Sequence, residues 1–125
     1  MNDHLDRAVL RGVLDAWREA VDRHLPDQVA DLFAEDAVFQ GLHPYSVGRA
    51  GVKEYYAGQP MGMTVAYDLL RARRLADDVV LAWVAVEFTF AAGTRAPLPL
   101  ALTVIARRDR GTWRIAHYHV SPRID

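Results

Sequence analysis

At Met63 the spacing of the apolar residues changes. Upstream they recur every three or four positions, as on a helix with one buried side; downstream they alternate, as on a strand with one buried face. Leu10, Val13, Leu14, Trp17 and Val21 form one helical stripe, with Arg11, Asp15, Arg18, Glu19 and Asp22 opposite, which predicts a helix from about Asp3 to His24. Pro26 suits the first turn of a second, short helix, where its missing N–H costs nothing; Val29, Leu32 and Phe33 are its buried stripe and Asp36 marks its end. Ala37 to Gln40 reads as a short strand, residues 41–48 as a loop, and Arg49 to Ala57 as a third helix that presents Val52, Tyr55 and Tyr56 together before Gly58 stops it. Four strands follow: Thr64 to Leu75, Val79 to Phe90, Arg95 to Arg107 and Thr112 to Ser121. The short turns between them, Asp77-Asp78, Ala92-Gly93-Thr94 and Asp109-Arg110-Gly111, predict antiparallel neighbours. Helices first and a meander afterwards predict an α+β fold, with helices on one face of a curved sheet that encloses a cone-shaped cavity.

With 125 residues and no repeat or linker, residues 1–125 are expected to form a single domain. Cysteine is absent, which excludes disulfides, thiolate nucleophiles and cysteine-ligated zinc, and fits a reducing cytoplasm. The start of the chain has no apolar run long enough for a signal peptide or a membrane span, so a soluble cytoplasmic protein without membrane contact is expected. A formal charge of -1 supplies no basic face for nucleic acid. Every basic side chain except Lys53 is arginine, which we read as the coding bias of a GC-rich bacterium.

The last strand, read with period two, puts Trp113, Ile115, His117 and His119 on one face. An apolar face that turns to histidine at its end points to a pocket. If Trp83, Ala85 and Glu87 also face inward, Glu87 lies across the cavity from His119, where a carboxylate would orient the imidazole and favour its protonated form. Val84, Val86 and Phe88 form an equally apolar opposite face, and a slip of one residue reverses the assignment. Trp17 belongs to the core stripe, which in a cone is also the cavity floor. Tyr56 and Tyr67 are candidate lining whose hydroxyls need partners if buried, and His43 and Tyr45 sit on the loop expected at the mouth. His117 and His119 have the i, i+2 spacing of two metal ligands, but no third ligand accompanies them and no metal is expected. Arg71, Arg73 and Arg74 read as a solvated strand face. No phosphate-cradling glycine loop, nucleophile elbow or carboxylate dyad is present, and no cofactor is expected.

The order of elements carries a resemblance across nearly the whole chain, together with Asp31-Leu32-Phe33-Ala34-Glu35-Asp36-Ala37-Val38-Phe39, Gly48-Arg49-Ala50-Gly51-Val52 and the ending from Trp113-Arg114-Ile115-Ala116-His117 to Ser121. The chain resembles the SnoaL-like branch of the nuclear transport factor 2 superfamily, which also holds ketosteroid isomerases, polyketide cyclases, limonene epoxide hydrolases, scytalone dehydratases and catalytically silent association domains. One cone serves many chemistries, so function rests on the pocket residues. Laid on the ketosteroid isomerases, the catalytic base falls on Gly41, the oxyanion tyrosine on Trp17 and the oxyanion carboxylic acid on Leu102. Gly41 accepts no proton and Leu102 donates none; Trp17 keeps one N–H donor. The Asp-Arg-Asp constellation of the epoxide hydrolases has no matching set, with Arg95 and Glu87 as rearranged participants at most. Glu87 and His119 stand where the isomerases have aromatic wall residues.

The resemblance therefore implies a SnoaL-like enzyme for cofactor-free acid–base isomerisation, cyclisation or dehydration of a hydrophobic, oxygenated, polyketide- or steroid-like compound. His119 and Glu87 would be catalytic, and Trp17, His43, Tyr45, Tyr56, Tyr67, Trp83 and His117 would form the wall. The alternative is a non-catalytic ligand-binding or dimerisation module of the same fold. Convergence of Glu87 and His119 in an open cavity favours chemistry; a cavity filled by Trp17, Trp83 and Tyr56 favours the module. Either way a homodimer through the outer sheet face is expected, since Tyr118 and Val120 would otherwise be exposed there.

Overall fold

The computed structural model describes residues 3–42 and 45–123. The change of spacing at Met63 separates a helical half from a four-strand meander: α1 (Asp3–Asp22), α2 (Pro26–Asp31), β1 (Phe33–Gln40), β2 (Ser46–Val47) and α3 (Arg49–Ala57) precede β3 (Thr64–Ala76), β4 (Val79–Thr89), β5 (Leu98–Asp109) and β6 (Thr112–Pro122). The strands described form one sheet in the order β2-β1-β6-β5-β4-β3 that does not close on itself. β3 to β6 are antiparallel neighbours, and β1 runs parallel to β6. The fold is α+β, with the helices packed on the sheet. No helix among the described residues is long and apolar enough to cross a membrane.

The early boundaries differ from the sequence-based expectation for local reasons. His24 takes a left-handed conformation (φ 54°), so α1 stops at Asp22. The Ile115 N–H donates to the Leu32 carbonyl at 2.8 Å, which draws the chain out of α2 and starts β1 at Phe33. Part of the expected loop is the short strand β2, where Val47 pairs with Val38.

Leu10, Val13, Leu14, Trp17 and Val21 of α1 are all buried. Facing them are Val80, Ala82, Val84, Val86 and Phe88 of β4 and Leu100, Leu102, Val104 and Ala106 of β5. Each valine, leucine or phenylalanine in this row contributes roughly 1.5–3 kcal/mol on burial, so this face determines the register. The consequence corrects the inward placement of Glu87: Trp83, Ala85 and Glu87 lie on the outer face, alternating with the buried row.

A second correction comes from β6. Ala106 pairs with Ile115 while the adjacent Ile105 pairs with His117, so Ala116 is an extra residue, a β-bulge. Past it the faces exchange. Ile115, Tyr118 and Val120 are buried, and His117 and His119 lie outside with Val38 and Gln40 of β1. His117 and Trp83 are therefore not cavity wall, and Tyr118 and Val120 are not outer surface.

A further bulge at Leu70 keeps Leu69 and Ala72 inward on β3. The Arg7 guanidinium closes it by donating to the Leu69 and Leu70 carbonyls at 3.1 and 3.2 Å. Beside it Arg74 Nε–H donates to Oδ1 of the buried Asp6 at 2.8 Å, while Asp6 Oδ2 has no partner. Removing the guanidinium leaves a buried carboxylate uncompensated. Because Arg74 is partly exposed, Arg74→Ala is expected to cost about 2–3 kcal/mol rather than the full value of a wholly buried pair. Urea unfolding checks this, and Asp6→Asn in the Arg74→Ala background should restore part of the loss.

Candidate functional site

The interior is an aromatic assembly drawn from both halves of the chain. α1 contributes Trp17, β1 Phe33 and Phe39, α3 Tyr55 and Tyr56, β4 Phe88, and the strand beyond the bulge Tyr118. Tyr118 stacks on Phe39 with ring centroids 4.6 Å apart, and Trp17 meets Phe88 edge to face at 6.3 Å. The polar atoms inside satisfy one another: Trp17 Nε1–H donates to the Tyr56 hydroxyl at 3.1 Å, which donates to the Tyr118 hydroxyl at 3.4 Å. Burial pushes both phenols well above their ordinary pKa. They are neutral donors at physiological pH.

Beyond this plug a cavity of about 80 Å³ opens between Leu42, Tyr55, Gln59, Met63, Phe88, Phe90, Arg95, Leu98 and Leu100. It has room for water or for part of one ring, and is small beside the pockets of several hundred Å³ that take whole ligands. The Arg95 guanidinium lies over the Phe90 ring, 4.2 Å from its centroid. Burial raises the pKa of Tyr55, and the nearby charge of Arg95 pulls it partly back. Among the described residues no carboxylate or imidazole lines this cavity.

The residues singled out in the sequence divide between three places. Trp17 and Tyr56 meet in the interior. Tyr67 faces the helices at the sheet's edge and donates to Asp15; burial and that bond push its pKa up to about 12. Trp83, Glu87, His117 and His119 occupy the outer face, where the two imidazoles are 6.0 Å apart and burial, then the charge of His119, lowers the pKa of His117. Tyr45 is 63% exposed on the segment before β2, and His43 lies outside the described residues. Arg95 and Glu87 are on opposite faces, so they form no shared constellation. Among the described residues no group of three or more His, Asp or Glu could hold a metal ion.

Several interior residues were not singled out as site candidates. Tyr118 was hidden by the bulge and Phe88 and Leu100 by the register, while Arg95, read in the sequence as the head of a strand, instead follows the turn at Ala91–Thr94, with β5 beginning only at Leu98. Tyr55 was visible as part of the stripe on α3. At the positions matched to isomerase groups, Trp17 and Leu102 are fully buried, and a Cβ on Gly41 would meet the Tyr55 ring at 3.3 Å. A base at position 41 would press on the aromatic wall.

Residues 10–125 match the family model of the SnoaL-like domain. The chain belongs to the SnoaL-like domain family. Solved structures of the same fold include a ketosteroid isomerase-like protein from Erwinia carotovora atroseptica, 22% identical, with TM-score 0.81 over 98% of this SnoaL-like chain and 99% of that one. An NTF2-like protein of unknown function from Pseudomonas putida is 21% identical, with TM-score 0.78 over 100% and 91% of the two chains. A domain of unknown function with a cystatin-like fold from Nostoc punctiforme is 14% identical, with TM-score 0.84 over 99% and 81%. No curated protein matches this SnoaL-like chain.

Tyr56→Phe removes the only acceptor of the Trp17 N–H among the described residues. The expected loss is about 1–3 kcal/mol in urea unfolding, from an unsatisfied buried donor. The raised phenol values also set a pH dependence. The unfolded chain ionises its tyrosines near the ordinary value of 10.0 and the folded interior does not, so stability is full below that pH and falls as pH rises through it. Thermal unfolding followed from neutral to alkaline pH should show this fall, with little tyrosinate absorbance from Tyr56 and Tyr118 before the protein unfolds.

Proposed function

We propose that this SnoaL-like chain is a binding domain that takes a small, largely apolar molecule at the mouth formed by Leu42, Tyr55, Phe90 and Leu98, rather than an acid–base enzyme of the isomerase type. One observation carries this reading: the interior is plugged by Trp17, Tyr56 and Tyr118, whose polar atoms are mutually bonded, and the cavity beyond them is walled by apolar side chains together with Tyr55 and Gln59, with Arg95 at its rim. Acid–base turnover at neutral pH needs a group that changes protonation within reach of substrate. The interior offers phenols with raised pKa and an indole. Glu87 and His119 belong to the other face of the sheet and have no part in this site.

The outer face supports a second element of the reading, a homodimer. Leu81, Trp83, Ala85 and Ile105 stand there half-buried, Asp68 and Glu87 mark one end and Arg71 and Arg73 the other. A two-fold axis lying parallel to the sheet, between the two outer faces and across the line that joins these ends, would set the acidic end of one copy on the basic end of its partner, as an isologous contact requires.

Two measurements test these elements. Chemical shifts followed in amide spectra during titration with small aromatic compounds should move at Leu42, Tyr55, Phe90 and Leu98. Leu98→Trp should weaken binding by at least about tenfold, while Glu87→Gln and His119→Gln leave it unchanged; shifts centred on Glu87 and His119 would contradict the assignment. Light scattering at micromolar concentration should give a two-chain mass that Trp83→Glu reduces to one; a monomeric wild type overturns the dimer.

A further inference from the structure

The rim of the mouth is built to hold a cation in place. Ala91 and Thr94 make a tight turn in which both the Thr94 N–H and its hydroxyl donate to the Ala91 carbonyl, at 3.1 and 2.6 Å, and Gly93 supplies the left-handed step (φ 79°). The turn rests on the connection between α3 and β3. Gly62 is itself left-handed (φ 86°) and so close that a Cβ on it would meet the Ala91 Cβ at 3.2 Å. The next residue after the turn, Arg95, is thereby directed back over Phe90. A guanidinium against an aromatic face gains some attraction and loses part of its hydration on that side.

Arg74 and Arg107 have carboxylate partners, Asp6 and Asp36. Among the described residues Arg95 has none, and its contact is with the Phe90 ring in the wall of the cavity. Its planar fork of N–H donors matches a carboxylate with two parallel bonds. Tyr55, whose ring lines the same cavity, adds a neutral hydroxyl donor at these pH values. A single guanidinium suits a monoanion. A cavity of about 80 Å³ admits part of one ring, leaving the acid group at the rim.

We propose that the mouth selects small carboxylic acids with a flat apolar body, the carboxylate held by Arg95 and the ring lodged against Phe90, Leu98 and Leu100. This rests on the mouth being the binding site, and the experiment separates the two claims. The whole chain is titrated at neutral pH, by calorimetry and amide shifts, with benzoate and with benzyl alcohol, its neutral counterpart of nearly the same shape. Benzoate should bind at least about tenfold more tightly, the range expected for hydrogen bonds to a charged group. Arg95→Gln, which keeps most of the side-chain stem, should bring benzoate down to the level of the alcohol measured on the same variant; Arg95→Lys should fall between. Equal binding of the two compounds, or a preference that survives Arg95→Gln, overturns the carboxylate inference and leaves the mouth as a site for neutral molecules. If neither compound binds or shifts the mouth residues, the carboxylate inference and the mouth reading both fall.

Discussion

Between Ile115 and His117 the last strand carries one residue more than its neighbour β5, and the bulge at Ala116 exchanges the two faces of everything that follows. Without that extra residue, continued alternation from Ile115 would carry His117 and His119 to the inner face and Tyr118 and Val120 to the outer one. The energetics favour the bulge. Burying a valine and most of a tyrosine contributes a few kcal/mol, and the stacking of Tyr118 on Phe39 adds about 0.5–1.5 kcal/mol beyond area. The other register would bring two imidazoles into a largely apolar compartment and take from the Tyr56 hydroxyl the partner it has in Tyr118. The aromatic plug follows from this choice, because Tyr118 terminates the chain of bonds that begins at Trp17.

What the interior can do chemically depends on the same exchange. Trp17, Tyr56 and Tyr118 place donors inside a cone where the resemblance would put an aspartate base, a tyrosine and a carboxylic acid. Gly41 has no side chain, and the Tyr55 ring lies where a Cβ there would point. Leu102 is sealed in the core. The molecule therefore keeps the SnoaL-like frame and presents a neutral, hydrogen-bonded wall, with charge restricted to the rim at Arg95. The proposed binding function takes the frame from the family and its specificity from that rim.

Much of the architecture was legible because it is written in periodicity. The stripe on α1, Pro26 at the start of α2, the limits of α3 and the turns between the four long strands are local signals, and each produces the expected element. The family resemblance drew on the same features. The faces of β4 were ambiguous because both are apolar, and what decides between them is the helix stripe packed on one side, a long-range contact no single segment reveals. The bulge was harder still: Trp113-Arg114-Ile115-Ala116-His117-Tyr118-His119 alternates well enough to suggest an unbroken strand. Tyr55 and Tyr56 could be found from their helical spacing, whereas Arg95 acquires its meaning only where the turn after Ala91 directs it over Phe90.

The claim on which the rest stands is that β6 turns Tyr118, not His119, toward Trp17. A nuclear Overhauser spectrum of the wild-type protein measures it directly. Cross-peaks from the Trp17 indole to the Tyr118 ring, whose centroids are 6.1 Å apart, are predicted, with none from the indole to either imidazole. Cross-peaks from Trp17 to His119 or His117, with Tyr118 silent, would contradict the bulge, the plugged interior and the binding site derived from them.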